Sequence, residues 1–175
     1  MAGGRGGIPR ILPAPWERAS EKAGLDSAPR RRFPSRVTAK EPLQVVCALL
    51  ERDGRVLAAR RPGAKSQGGK WEFPGGKLHA GELPRDALVR EIAEELRVVI
   101  RVGDALAPST HDYGGFAITL IPFRCTIASG EPDPVEHEAL AWCTPDELAA
   151  LDWAAADMPI VASYLSAHGG KSAVP

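Results

Sequence analysis

Three glutamates define the chemistry open to this 175-residue chain. They lie in Arg90-Glu91-Ile92-Ala93-Glu94-Glu95, at the end of a stretch that opens on Gly76-Lys77. An α-helix turns once in about 3.6 residues, so Glu91, Glu94 and Glu95, at i, i+3 and i+4, share one face. Like charges at this spacing destabilise a helix by a few tenths of a kcal/mol per pair. A cation removes that cost. Hard divalent ions take oxygen ligands, and Mg2+ typically combines a few carboxylates with substrate phosphates. The pattern points to a magnesium platform for phosphate chemistry, with Mn2+ able to substitute. The bland reading is a solvated acidic helix face. The preceding loop Phe73-Pro74-Gly75-Gly76-Lys77, with Glu82 and Arg90 in register, weighs against it.

Other residues around this stretch have types suited to a nucleotide. Trp71, Phe73 and Pro74 precede the glycine turn and could wall an apolar slot for a base, with core packing as the alternative for Phe73. Gly75 and Gly76 let a backbone approach closely. Lys77 is a candidate phosphate contact or a plain surface lysine. His137 is suited to proton transfer near neutral pH, against the reading of a solvated loop histidine.

The segment resembles the Nudix box of the MutT-type nucleotide pyrophosphohydrolases, closest to the MutT and CTP-pyrophosphohydrolase-like branch. Gly76, Glu82, Arg90, Glu91, Ile92, Glu94, Glu95 and Val98 fall on its positions, and Arg97 stands where the family has glycine. The likeness extends over about Leu43 to Leu165. It implies an α/β/α sandwich with a mixed β-sheet between helices, a Nudix α/β fold. It implies that Glu91, Glu94 and Glu95 hold the metal with the Gly75 carbonyl, and that Glu136, six residues before Trp142, reaches the same cluster. Arg90 is implied to pair with Glu82, pointing away from the three glutamates, so Glu82 serves as its partner rather than as general base. The base itself is Glu91 or Glu136. Arg60 is implied to contact the nucleotide. Asp157 matches the position where MutT reads the base with asparagine. An ionised aspartate only accepts hydrogen bonds and suits a base edge rich in N–H donors; the alternative is that Asp157 caps the last helix.

The elements that must position these groups are readable. Leu43–Leu50 and Val56–Arg61 read as strands around the turn signal Arg52-Asp53-Gly54. Pro62–Gly69 is a polar loop, Trp71–Phe73 a short strand, and Gly75-Gly76 a turn. Pro84 suits the first helical turn, and Leu88, Ile92 and Leu96 give the helix an apolar stripe beside its acidic face. Val98–Leu106 and Ala117–Thr126 read as strands joined by a turn at Asp112-Tyr113-Gly114-Gly115, and Ala139–Cys143 as another. Thr144 and Glu147 have capping-box spacing. A last helix follows Asp157 to about Ala167.

The net charge is zero but divided: residues 1–40 carry +6 and the remainder −6. The expected organisation is a basic, disordered arm over 1–40, a hydrolase domain over 41–168 and a flexible tail over 169–175. The arm is rich in arginine like an organellar transit peptide, but Glu17, Glu21 and Asp26 speak against that, and it lacks the apolar core of a secretory signal. Cys47, Cys125 and Cys143 are widely spaced in apolar runs and read as buried free thiols of a cytoplasmic protein. No apolar run of about 18 residues is present to span a membrane. The expected activity is hydrolysis of a nucleoside triphosphate to monophosphate and diphosphate, clearing oxidised or methylated nucleotides of the 8-oxo-dGTP or CTP type. No stable nucleic-acid partner is expected. Rival readings are hydrolysis of ADP-ribose or a dinucleotide, and a non-catalytic base-reading module, which would have lost the glutamates.

Overall fold

The computed structural model describes residues 41–168; the expected arm and tail lie outside the described residues. The chain order is β1 (Leu43–Arg52), β2 (Arg55–Arg60), β3 (Trp71–Glu72), β4 (Gly75–Lys77), α1 (Pro84–Leu96), β5 (Val99–Ala105), β6 (Ser109–Asp112), β7 (Ala117–Ser129), β8 (Ala139–Cys143), α2 (Pro145–Ala150) and α3 (Met158–His168).

β1 organises the sheet. Residues Val46 to Leu50 are all buried, as a strand covered on both faces must be. Alternation sends Val46, Ala48 and Leu50, with Leu57 of β2, against Ala87, Leu88, Ile92 and Leu96 of α1. Cys47 and Leu49, with Val56 and Ala58, go to the other face, against Leu148, Trp153, Ile160, Val161 and Tyr164. The period of two thus fills two cores and yields the α/β/α sandwich. The sheet order is β3-β2-β1-β7-β5, with β8 on β2, β4 on β1 and β6 on β7. It is mixed because β1 and β7 run parallel, in register from Leu43↔Ile118 to Leu50↔Cys125. The three cysteines are buried free thiols. No described helix is long and apolar enough to cross a membrane.

Two elements depart from the sequence reading. The Gly75-Gly76 segment is not a free turn. It is a strand edge, paired antiparallel with β1 at Cys47↔Gly75 and Val46↔Gly76. Glycine makes that possible, since a Cβ on Gly75 would lie 2.1 Å from the Val46 carbonyl oxygen. The half-polar Ser109–Asp112 also forms a strand, β6, held by pairing with β7.

Helix ends follow local chemistry. Pro84 lies in the first turn of α1. α2 has a full capping box between Thr144 and Glu147. Arg97 terminates α1 in the left-handed conformation, φ 56° and ψ 29°, its N–H bonded to the Ala93 carbonyl. A side chain there costs roughly 1–2 kcal/mol, and its exposed ion pair with Asp133 at 3.5 Å offsets little. Arg97→Gly should therefore stabilise the fold by about 0.5–1 kcal/mol, read as a rise of a few degrees in Tm with turnover unchanged.

Candidate active site

α1 lays its acidic face beside β4. Glu95, on the last turn, accepts a hydrogen bond from the Gly75 N–H at 3.0 Å. Burial pushes its carboxyl up to about 7; His137 and the Gly75 N–H pull it down, while Glu72 and Glu136 add to the rise. Glu91 lies directly over Gly76, where a Cβ would stand 2.2 Å from the carboxylate carbon. Glu94 is the exposed member, its side chain 59% accessible. One edge of the helix therefore offers two carboxylates against the glycine backbone and a third that is exposed.

Arg90 ties this face to the preceding loop. Its Nε and Nη2 donate to the two oxygens of Glu82, each at 2.9 Å, a bidentate geometry that fixes orientation. The guanidinium holds the Glu82 carboxyl down at about 2, aided by the His79 N–H. The expectation that Arg90 points away from the glutamates needs correction. Its Nη1 donates to Glu91 at 2.7 Å and lies 3.7 Å from Glu94, because Arg90 and Glu94 are i,i+4 neighbours on one helix face and the long side chain also reaches the adjacent Glu91.

Across the end of the sheet, Asp157 is buried, and its Oδ1 accepts from the Phe73 N–H at 3.0 Å. The carboxylate thus points to β3, while α3 takes its first bonds on the Asp157 backbone carbonyl; side-chain capping of α3 is not its role. Burial raises Asp157 to about 7; the Phe73 N–H opposes this, Glu72 adds to it, and Arg61 opposes it. Phe73 and Pro74 do not wall an open slot. The Phe73 ring is buried 4.7 Å from Trp153, and Pro74 is fully buried with its carbonyl bonded to the Ala48 N–H. Trp71 is half-buried against the same core. The apolar types that suggested a base slot serve packing instead.

The arginine facing Asp157 is Arg61, not Arg60. β2 ends at Arg60, whose Nε donates to the Gly69 carbonyl at 3.2 Å on the exposed side. The next residue alternates to the opposite side, where Arg61 pairs with Glu72. The other Glu72 oxygen meets His137 Nε2 at 3.2 Å. His137 is therefore not solvated. It is buried, and its Nδ1 has no partner among the described residues. Arg61 and Glu72 were missed by sequence reasoning; the charged Glu72 between Trp71 and Phe73 in a short apolar strand was the available signal. Lys77 is exposed, and its carbonyl accepts from Arg90 at 3.3 Å.

Glu136 is exposed on the loop before β8, its Oε2 3.0 Å from Lys65 Nζ, and its charge is felt at Glu95. Among the described residues, no three acidic, histidine or cysteine side chains converge closely enough to hold an ion as they stand. Protein cations take up three of the carboxylates, Arg90 on Glu91 and, at 3.7 Å, on Glu94, and Lys65 on Glu136. The donor set nevertheless suits a hard divalent cation. It is all oxygen, it includes the half-buried Glu95 carboxylate, which has no ion pair among the described residues, and the exposed Glu94 is held only by a long contact to Arg90.

The model of the NUDIX domain family matches residues 45–163. The CTP pyrophosphohydrolase of Escherichia coli (strain K12) is 37% identical over 131 residues, covering 75% of this chain and 97% of that protein. The 8-oxo-dGTP diphosphatase of Proteus vulgaris is 36% identical over 88 residues, 50% of this chain and 79% of its own length. Among solved structures, DNA mismatch repair protein MutT, a Nudix hydrolase of methicillin-resistant Staphylococcus aureus 252, superposes with a TM-score of 0.61 at 36% identity, covering 73% of this chain and 98% of that one.

Proposed function

The chain belongs to the Nudix family, and on that basis we propose that it is a Mg2+-dependent pyrophosphohydrolase that converts a (d)NTP and water to the (d)NMP and diphosphate. Nudix hydrolases use divalent cations and act on phosphoric anhydrides. We assign the cation to Glu91, Glu94, Glu95 and Glu136 with the Gly75 carbonyl. When bound, it supplies charge neutralisation on the phosphate oxygens and a lowered pKa of water. The observation that carries this reading is Glu95, a half-buried carboxylate that accepts from the Gly75 N–H on the same helix face as Glu91 and Glu94.

The chain's own part is positioning and proton movement. Water adds to phosphorus, a P–O–P bond breaks, diphosphate leaves, and Glu91 or Glu136 takes the proton. Arg90 orients Glu91 by gripping Glu82 at the same time, so the loop and helix move as one unit. Asp157, with Glu72 and Arg61 beside it, reads the base. The reading is tested by measuring released diphosphate and monophosphate with Mg2+ and 8-oxo-dGTP, CTP or 5-methyl-dCTP. Turnover of none of the three rejects it.

Base reading should depend on pH. Below about 7 the Asp157 carboxyl keeps its proton and can both donate and accept; above it the carboxylate only accepts. The preference for a cytosine amino group over an oxygen edge should grow from pH 6 to pH 8. Asp157→Asn should abolish that trend and cut the discrimination by about tenfold in kcat/KM. The folded pKa lies above the ordinary carboxylate value, so this group's stability contribution is present at low pH and lost as pH rises through about 7. Asp157→Asn should accordingly melt higher than the parent at pH 8, with the advantage shrinking as pH falls below about 7 and vanishing only near the ordinary carboxylate value, about pH 4.

A further inference from the structure

Lys65 stands at the tip of the loop between β2 and β3, and the loop is built to hold it there. The Lys65 N–H bonds to the Pro62 carbonyl at 3.0 Å and the Gly69 N–H to the Arg61 carbonyl at 3.0 Å. Arg61 Nε bonds to the Ser66 carbonyl at 2.8 Å. Gly63 and Gly68 touch so closely that a Cβ on Gly68 would lie 2.3 Å from the Gly63 carbonyl oxygen. The loop is thus a closed unit, and the movable part of Lys65 is its four-carbon stem.

That stem brings its ammonium to Glu136, 3.0 Å from Oε2, with the two side chains 48% and 52% accessible. An ion pair this exposed is weak and breaks at little cost. Glu136 is also, with Glu72, a carboxylate outside α1 whose charge reaches Glu95. If Glu136 joins a divalent cation, its charge is neutralised and the ammonium loses its partner while its loop keeps it at the same place. The anion that then arrives is the polyphosphate. A lysine is a compact point charge with rotatable donors, suited to phosphate oxygens in any orientation.

We propose that Lys65 is a phosphate-positioning residue, parked on Glu136 in the nucleotide-free chain and transferred to the polyphosphate of a bound nucleoside triphosphate. The inference rests on the function proposed above. It makes Lys65 a competitor of the cation before substrate binds and a partner of the substrate afterwards, two roles with opposite signs in one variant.

The test uses the full chain with Lys65→Gln, Lys65→Arg and, as a charge control on the same loop, Lys70→Gln, whose ammonium pairs with Asp152 at 2.6 Å instead. Calorimetric titration with Mn2+ alone should show about threefold tighter binding for Lys65→Gln, the size expected from removing an exposed ion pair. KM for the triphosphate substrate should rise about tenfold with kcat little changed. Lys65→Arg should restore most of the KM, and Lys70→Gln should change neither constant. The proposal is overturned if either constant of Lys65→Gln stays at the parent value, or if Lys70→Gln reproduces both shifts. A parent chain that takes up Mn2+ and hydrolyses nucleotide while Lys65→Gln is unchanged sinks this inference alone. A parent that does neither removes the function proposed above and this inference with it.

Discussion

Glu95→Gln should lower turnover by at least about a thousandfold, the scale of losing a group that organises charge at the reacting phosphate. The fold should survive. Glu95 meets the protein through one acceptor oxygen, on the Gly75 N–H at 3.0 Å, and a glutamine side-chain oxygen can take that bond. What the amide cannot supply is negative charge. Stability should move the opposite way from activity. Burial raises Glu95 to about 7, so the parent loses stability as pH rises through that value, and the neutral amide does not. The variant should melt at or above the parent temperature at pH 8 while being inactive there. Inactivity with a lowered Tm would mean that Glu95 is structural. Retained activity would mean that the metal assignment is wrong.

The paired glycines should separate fold from chemistry. Gly75→Ala puts a Cβ 2.1 Å from the Val46 carbonyl oxygen and 2.8 Å from the Cys47 Cα, at φ +151°. Both obstacles are backbone of a buried strand and cannot turn aside. The cost should exceed about 3 kcal/mol, lowering Tm by on the order of 10 °C or preventing folding. Gly76→Ala meets a different obstacle, the Glu91 carboxylate at 2.2 Å, which is the end of a flexible side chain. The fold should persist, with Glu91 pushed off its position and kcat lowered by about a hundredfold, as small misplacements of reacting groups do. Thermal melts and kinetics on the two variants check both halves, and equal losses of stability would contradict the geometry.

Much of the scaffold was legible because it obeys local rules. The apolar stripe Leu88, Ile92, Leu96 and the proline in the first turn placed α1, and the Thr144–Glu147 spacing gave the start of α2. Arg97 was legible as a departure at the helix end, and the chain accommodates it as a left-handed cap. β4 and β6 were not legible, since each is short and exists only through pairing with a distant strand. No periodicity within three or four residues records such a partner.

The same division runs through the site. The carboxylates of α1 share a face by helix geometry alone, so their spacing told of them. The cluster Arg61, Glu72 and His137 joins the β2–β3 hairpin to a loop some 65 residues on, and only the tertiary structure makes a half-buried acid of Glu72 and buries His137 beside it. Arg60 and Arg61 show how fine the margin is, because one step at the end of a strand exchanges the exposed side for the site. Phe73 and Pro74 had the right types for a base slot, but the core claimed them, and the backbone N–H of Phe73 became its contribution by anchoring Asp157.

The most direct test of the central claim is a crystal structure of the full chain with Mn2+ and a non-hydrolysable nucleoside triphosphate, with the ion located by its anomalous signal. The expected result is density within roughly 2.0–2.3 Å of carboxylate oxygens of Glu91, Glu94 or Glu95 and of a phosphate oxygen. Anomalous density elsewhere, with those three carboxylates turned to solvent and the phosphates held by other residues, would contradict it.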